Sequence, residues 1–330
     1  MPPPIAPGTV ALDHVAHAAG HWRDLWDRYA CDLGAEWVSG GQNRGFAPGQ
    51  VRFGNGARVE MLMPWEPQLD DFLARFLERS GPGAHHLTFK VHDIRAALDE
   101  ARRAGFEPVG VDLSQPEWME AFLHPKEATG VVVQLAESSP DDEDPGSWAT
   151  PPPVGFPSDR RPRRDGSGPI DPAALDWVVH AVADPDLARS LFVGLLGGDV
   201  VGGGHTGGVG WTDLSWRGPL GLRLLWPHVA DLTDAPTGIA VDHASSEDEL
   251  ARDLADWLGG RPGRVHHLEL RVEDPDGMRD ATAVSTPLCL VANRAGSPRW
   301  EVPASANQGL RLVLTDTDDW KPGRPVQEST

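Results

Sequence analysis

The chain repeats itself. ALDHVAHAA at residues 11–19 returns as ALDWVVHAV at 174–182. ARVEMLMPW (57–65) returns as GLRLLWPHV (221–229), AHHLTFKVHD (84–93) as VHHLELRVED (265–274), and GVVVQLAES (130–138) as GLRLVLTDT (309–317). The four matches keep their order, and one common offset carries His14 onto Trp177 and Glu60 onto Arg223. Four ordered matches are hard to produce by chance, so we read a tandem duplication. Between the copies lies a stretch rich in Pro, Ser, Asp and Arg with no apolar period, the composition of a linker. The sequence therefore predicts one domain over residues 1–137, a disordered or extended linker over 138–172, and a second, degenerate domain over 173–330.

Each half divides again. In the first quarter LDHVAHA reads as a strand, and Trp22, Leu25, Trp26 and Tyr29 follow at helical spacing up to a stop at Gly34. In the second quarter HLTFKV reads as a strand, Asp93 as a helix N-cap, IRAALDEARRA as the helix and Gly105 as its end. Three short strand-like runs follow each helix: AEWVSG, QVRFG and ARVEMLM, then FEPVGV, MEAFLHP and GVVVQLA. The expected class is α+β, built from four tandem βαβββ units.

Composition narrows the function. The net charge of −20 opposes a polyphosphate backbone, so no nucleic-acid partner is expected. No apolar run approaches the roughly 18 residues that cross a bilayer, so no membrane partner is expected. The N-terminus lacks the basic and apolar regions of a signal peptide, which points to a cytoplasmic protein. The two cysteines, Cys31 and Cys289, stand far apart without a CxxC, which argues against a thiolate zinc site. GGGHTGGVG (202–210) lacks the GK[ST] ending of a phosphate loop and reads as a flexible connection between strands.

Four βαβββ units in tandem resemble the vicinal oxygen chelate superfamily, which includes glyoxalases, methylmalonyl-CoA epimerases, extradiol dioxygenases and bleomycin-resistance proteins. LDHVAHA, the stretch from DFLARFLERSGPGAHHL to AGFEPV, and EAFLHPKEATGVVVQLAE most resemble the methylmalonyl-CoA epimerase-like glyoxalases. The resemblance implies that units pair into two cup-shaped mixed-sheet domains around one divalent metal: Zn, Co, Ni, Mn or Fe(II). Carried over position by position, the implied ligands are His14, Glu60, His86 and Gln134. Alternation agrees, since Glu60 and Gln134 are lone polar residues on apolar strands, and such groups need a partner if buried. The family's epimerases carry Gln at the Glu60 position and Glu at the Gln134 position, so the carboxylate here has changed sides. In the second half Trp177, Arg223 and Val313 replace three of the four, leaving His267, so a single metal is expected, in the first half.

The implied chemistry is proton transfer next to a chelated carbonyl by an isomerase or lyase, with Glu60 as the catalytic base. Candidate substrate contacts are His17 and Gln50 in the cup, Trp118 as a pocket wall, and His124 and Lys126 in the loop that closes over the site in the epimerase-like branch. Two other classes share the fold: a binding or resistance protein without chemistry, and an Fe(II) dioxygenase. The partner is a small molecule or acyl thioester. The fused second half supplies internally the pairing that single-domain relatives find in another chain, consistent with a monomer or homodimer.

Overall fold

The computed structural model describes residues 9–138, 171–206, 208–228, 246–278, 280–283 and 299–316. Most of the linker expected over 138–172 lies outside them. The first unit is β1 (Ala11–Ala18), α1 (Trp22–Trp26) running on into a π-helical turn (Asp27–Asp32), β2 (Glu36–Gly40), β3 (Gly45–Arg52) and β4 (Arg58–Trp65). Helix α2 (Phe72–Ser80) leads to the second unit: β5 (Gly83–Lys90), α3 (Ile94–Arg103), β6 (Pro108–Asp112), β7 (Trp118–Leu123) and β8 (Val132–Ser138). The third unit is β9 (Ala174–Val182), α4 (Pro185–Arg189) with its own π-helical turn (Ser190–Leu195), β10 (Asp199–Thr206), β11 (Val209–Ser215) and β12 (Gly221–Pro227). Helix α5 (Ser246–Leu258) precedes the fourth: β13 (Gly263–Val272), β14 (Thr282–Ala283), β15 (Arg299–Val302) and β16 (Arg311–Asp316). In that last unit the described residues between β13 and β14 form turns rather than a helix.

Each half is one eight-stranded mixed sheet. The orders are β2-β3-β4-β1-β5-β8-β7-β6 and β10-β11-β12-β9-β13-β16-β15-β14. In each, the first strands of the two units pair antiparallel, β1 with β5 and β9 with β13. The last strand of each unit lies parallel beside its first, as β4 beside β1 and β8 beside β5. The sequence signals act as expected in α3: the Asp93 carboxylate accepts the Ala96 N–H, and Gly105 takes φ +91 beyond the last turn. Ile94, Ala97, Leu98 and Ala101 form its buried face. Among the described residues no helix is long and apolar enough to cross a membrane.

Two features depart from the expectations. Helix α2 was not anticipated. Its Leu73 is buried against Ala16, Ala18 and Leu62, with Phe46, Phe72, Phe76 and Leu77 around them. It roofs one end of the first cup, and burying Leu73 alone contributes about 2 kcal/mol. The glycine-rich stretch is not a loose connection: Gly202 to Thr206 belong to the edge strand β10, paired with β11. A Cβ at Gly204 would lie 3.3 Å from the Trp211 indole, so glycine there admits the ring.

The halves join through the faces that carry α1 and α4. One cluster of buried residues runs through both, with the Phe89 ring 5.0 Å from Trp216 and 6.1 Å from Phe192. The junction is built from two equivalent contacts. At one, a Cβ on Gly130 would stand 1.9 Å from the Gly263 carbonyl oxygen; at the other, a Cβ on Gly309 would stand 1.8 Å from that of Pro82. Both Gly130 and Gly309 also have positive φ, +86 and +80. The Gly309→Ala protein should therefore lose about 3 kcal/mol or more, combining left-handed backbone strain with overpacking. Urea midpoints measure this, and Gly20→Ala, with nothing within 4 Å, should change by less than about 0.5 kcal/mol.

Candidate metal centre

Alternation places His14 on β1, Glu60 on β4, and His86 and Thr88 on β5 on the cup-facing side of the sheet. Gln134 lies beside Thr88 in the β5–β8 register. One ligand atom from each of His14, Glu60 and His86 falls within 4.8 Å of the others, the one such His/Cys/Asp/Glu group among the described residues. Glu60 Oε2 lies 3.4 Å from His86 Nε2 and 3.7 Å from His14 Nε2. Ligands at about 2.0–2.1 Å from one ion stand roughly 3.0–3.4 Å apart, a spacing that the two Glu60 contacts already approach. His86 Nε2 is buried with no hydrogen-bond partner, as is Gln50 Oε1 on β3. An orphaned buried imidazole nitrogen beside a carboxylate and a second imidazole fits a divalent ion.

Two β-bulges shape this cluster. Asp13 is the extra residue of β1 between Leu12 and His14, and His85 the extra residue of β5 opposite the Ala16–His17 step. Each bulge sets a polar side chain against a neighbouring histidine of the cluster. Asp13 accepts from His14 Nδ1 at 2.8 Å, and the Nδ1 atoms of His85 and His86 lie 2.9 Å apart. These contacts aim both Nε2 atoms at the centre. His85 packs on Phe72 and Phe76 of α2. Burial would lower the His14 pKa, but the Asp13 hydrogen bond and the Glu60 carboxylate raise it to about 9. Burial would raise Glu60; His14 and His86 instead hold it far below the usual carboxylate range. Burial likewise opposes ionised Asp13, and its bond to His14 with the charges of Lys90 and Arg58 takes it down to about 2. An ion held here would have to displace any proton on His14 Nε2.

The other candidates separate. Gln50 is buried directly opposite Glu60 in the β3–β4 register. Gln134 is buried and accepts the Thr88 hydroxyl at 2.6 Å, while Thr88 Oγ1 lies 2.8 Å from His14 Nε2. Trp118 is half-buried on β7 with the Lys90 ammonium 5.5 Å over its ring. His17 does not line the cup. Its Nδ1 accepts the Tyr29 hydroxyl at 2.7 Å and its Nε2 donates to the Gln308 carbonyl of the second half at 2.8 Å. His124 and Lys126 are exposed, and His124 Nδ1 is used locally, accepting the Lys126 N–H at 3.2 Å. The sequence reading missed Asp13, Thr88 and Glu120. Glu120 accepts from Gln134 Nε2 at 2.6 Å and from Trp118 Nε1 at 2.8 Å. Its signal was available, a carboxylate alternating with Trp118 and Phe122 on one strand face.

In the second cup an ion-paired arginine stands at the position equivalent to Glu60. Arg223 donates to both oxygens of Asp213, at 2.6 and 2.9 Å, and to Glu269 at 2.6 Å. Trp177 covers its guanidinium at 5.0 Å. His266 repeats the bulge, its Nδ1 2.7 Å from that of His267.

A family model described as "Glyoxalase-like domain" matches residues 12–196. The ethylmalonyl-CoA/methylmalonyl-CoA epimerase of Cereibacter sphaeroides is 31% identical over 133 residues, covering 38% of this chain and 96% of that protein. The solved methylmalonyl-CoA epimerase of Mycobacterium tuberculosis is 27% identical over 42% of this chain and 95% of its own, with a TM-score of 0.38. A mutant of 4-hydroxymandelate synthase from Streptomyces coelicolor covers 98% of this chain and 95% of its own, at 15% identity and a TM-score of 0.56; that likeness concerns the fold. With the family match spanning more than half the chain and an epimerase relative aligned over nearly its whole length, this protein belongs to the glyoxalase-like, vicinal oxygen chelate family.

Proposed function

We propose that the first half is a divalent-metal-dependent isomerase or lyase that moves a proton on a carbon next to a carbonyl, in a small molecule or an acyl thioester. The observation that carries this reading is a carboxylate, Glu60, set beside two buried imidazoles in a chain that is 31% identical, over 133 residues, to a protein named as a CoA-ester epimerase. The proposed ligands are His14, Glu60, His86 and Gln134. The ion, one of Zn, Co, Ni, Mn or Fe(II), supplies Lewis-acid polarisation of substrate oxygens, worth several kcal/mol. Glu60 takes the proton from the carbon, the C–H electron pair moves toward the carbonyl, and Glu60 returns a proton. Gln50 and Trp118 bound the substrate, and α2 keeps water from the roofed end.

Protein purified without chelator should hold about one equivalent of divalent metal, and His86→Ala should hold less than a tenth of that. In deuterium oxide the metal-loaded protein should exchange the α-proton of a 2-substituted acyl-CoA thioester or a 2-oxo compound from a test panel. Tight ligand binding by metal-poor protein without exchange would instead make this a sequestering protein. Oxygen uptake on adding Fe(II) would make it a dioxygenase.

A further inference from the structure

We propose that Glu120 is a positioning residue for the metal centre, orienting the Gln134 side chain so that its oxygen faces the ion. This rests on the reading of Gln134 as a ligand. An amide is an ambiguous donor set: its oxygen suits a cation and its NH2 repels one. Nothing in Gln134 itself chooses between the two ends.

The surroundings choose. Gln134 Nε2 donates to Glu120 Oε2 at 2.6 Å, and an ionised carboxylate accepts only. The NH2 end is therefore turned to β7, and Oε1 is turned toward β5, where it meets the Thr88 hydroxyl 2.6 Å away. Thr88 in turn lies 2.8 Å from His14 Nε2, so the oxygen side of the amide faces the ligand cluster. Trp118 Nε1 donates to the same Glu120 oxygen at 2.8 Å and fixes the carboxylate. Thr88 donates to the amide oxygen, and the amide and the indole both donate to Glu120, so the carboxylate anchors one connected network that reaches His14. With Gln in place of Glu120, a flipped Gln134 finds an acceptor and a donor as readily as the native orientation does.

The duplication supplies an internal comparison. Glu120 lies opposite Ala136 in its sheet, and Arg299 lies opposite Thr315 at the corresponding place in the other. Thr88 lies beside Gln134, and Glu269 beside Val313. The half that lost its ligands has thus lost the orienting group, the hydroxyl and the amide together. That joint loss is expected if the network serves the ion.

The test is metal affinity, read by Zn(II) competition against a chelating dye and by the visible spectrum of bound Co(II). Glu120→Gln keeps the size and should fold, with an unchanged melting temperature for metal-free protein. Its affinity should fall about 10–100-fold, the usual effect of losing such an outer partner. Adding Gln134→Glu to Glu120→Gln should restore affinity to within a few-fold of the starting protein, because a carboxylate presents oxygen whichever way it turns. Unchanged affinity in Glu120→Gln, or no recovery in the double variant, overturns the proposal while leaving the metal site standing. If the unaltered protein binds neither ion, or binds them as well after His86→Ala, the metal reading itself fails and takes the proposal with it.

Discussion

Replacing Glu60 by Gln is expected to cut turnover about 10²–10⁴-fold, a loss of roughly 3–5 kcal/mol of transition-state stabilisation. Glu60 is the carboxylate that faces both imidazoles. The nearby carboxylates are engaged elsewhere. Asp13 holds His14 Nδ1 and lies within reach of Arg58 and Lys90. Glu120 accepts two N–H groups on one oxygen. The amide keeps an oxygen at Glu60's place but not its charge, so the variant is loaded with excess metal before assay, and circular dichroism should be unchanged. Turnover and metal content must be measured on the same preparation. A metal-loaded Glu60→Gln protein within tenfold of full turnover would show that another group takes the proton.

Acid should loosen the joint between the halves, with most of the effect between pH 6.5 and pH 4. His17 donates to the Gln308 carbonyl, and His180, its counterpart in the duplication, donates to the Thr129 carbonyl at 2.9 Å. Gln308 and Thr129 both sit at positive φ, +47 and +54, each just before a junction glycine. Burial takes both histidines down to about 4, only partly offset by these carbonyl bonds. In the unfolded chain each titrates near 6.5, so across this window the unfolded state binds protons that the folded state refuses. Stability is fully present above pH 6.5 and falls as the pH drops toward 4. Each histidine accounts for about 3 kcal/mol at most, since each tenfold loss of proton affinity on folding is worth about 1.36 kcal/mol. Urea denaturation at pH 7.5, 6, 5 and 4.5 measures the slope, to which other buried histidines also contribute. The double variant His17→Gln, His180→Gln should be less stable at pH 7.5 yet flatter with pH, by about two protons' worth of slope. An equal slope in both proteins would show that these two side chains are not the titrating groups.

The unit order, the cap at Asp93 and the stop at Gly105 were legible because each rests on a local signal: alternation, a side-chain acceptor, a glycine. The approach of His14, Glu60 and His86 was legible only through the duplication and the family likeness, since residues 14, 60 and 86 meet by strand pairing that no local pattern encodes. Asp13, and the support that His85 gives His86, escaped notice because both residues lie at bulges. Strict alternation sends the neighbour of a cup-facing residue to the far side, and one extra residue breaks that parity. The same fact explains the His-His doublets: one member is the bulge and the other is the strand residue it supports. His17 was misplaced for the opposite reason, since plain alternation from His14 already puts it on the helix face. Helix α2 was hidden by its polar half, and only its contacts with Leu62 and Ala18 show which side is buried.

Arg223 gives the second cup a permanent charge at the place where, in the proposed function, the first takes up an ion from solution. A guanidinium clamped by Asp213 and Glu269 cannot be titrated away near neutral pH, stripped by a chelator or exchanged for a competing ion. The two halves therefore differ in what they require of the cell. Under metal starvation the second cup keeps its internal cation, while the first has only the proton on His14 to balance Glu60. On the proposed reading, the duplicated chain joins a half that responds to trace-metal supply to one that is indifferent to it.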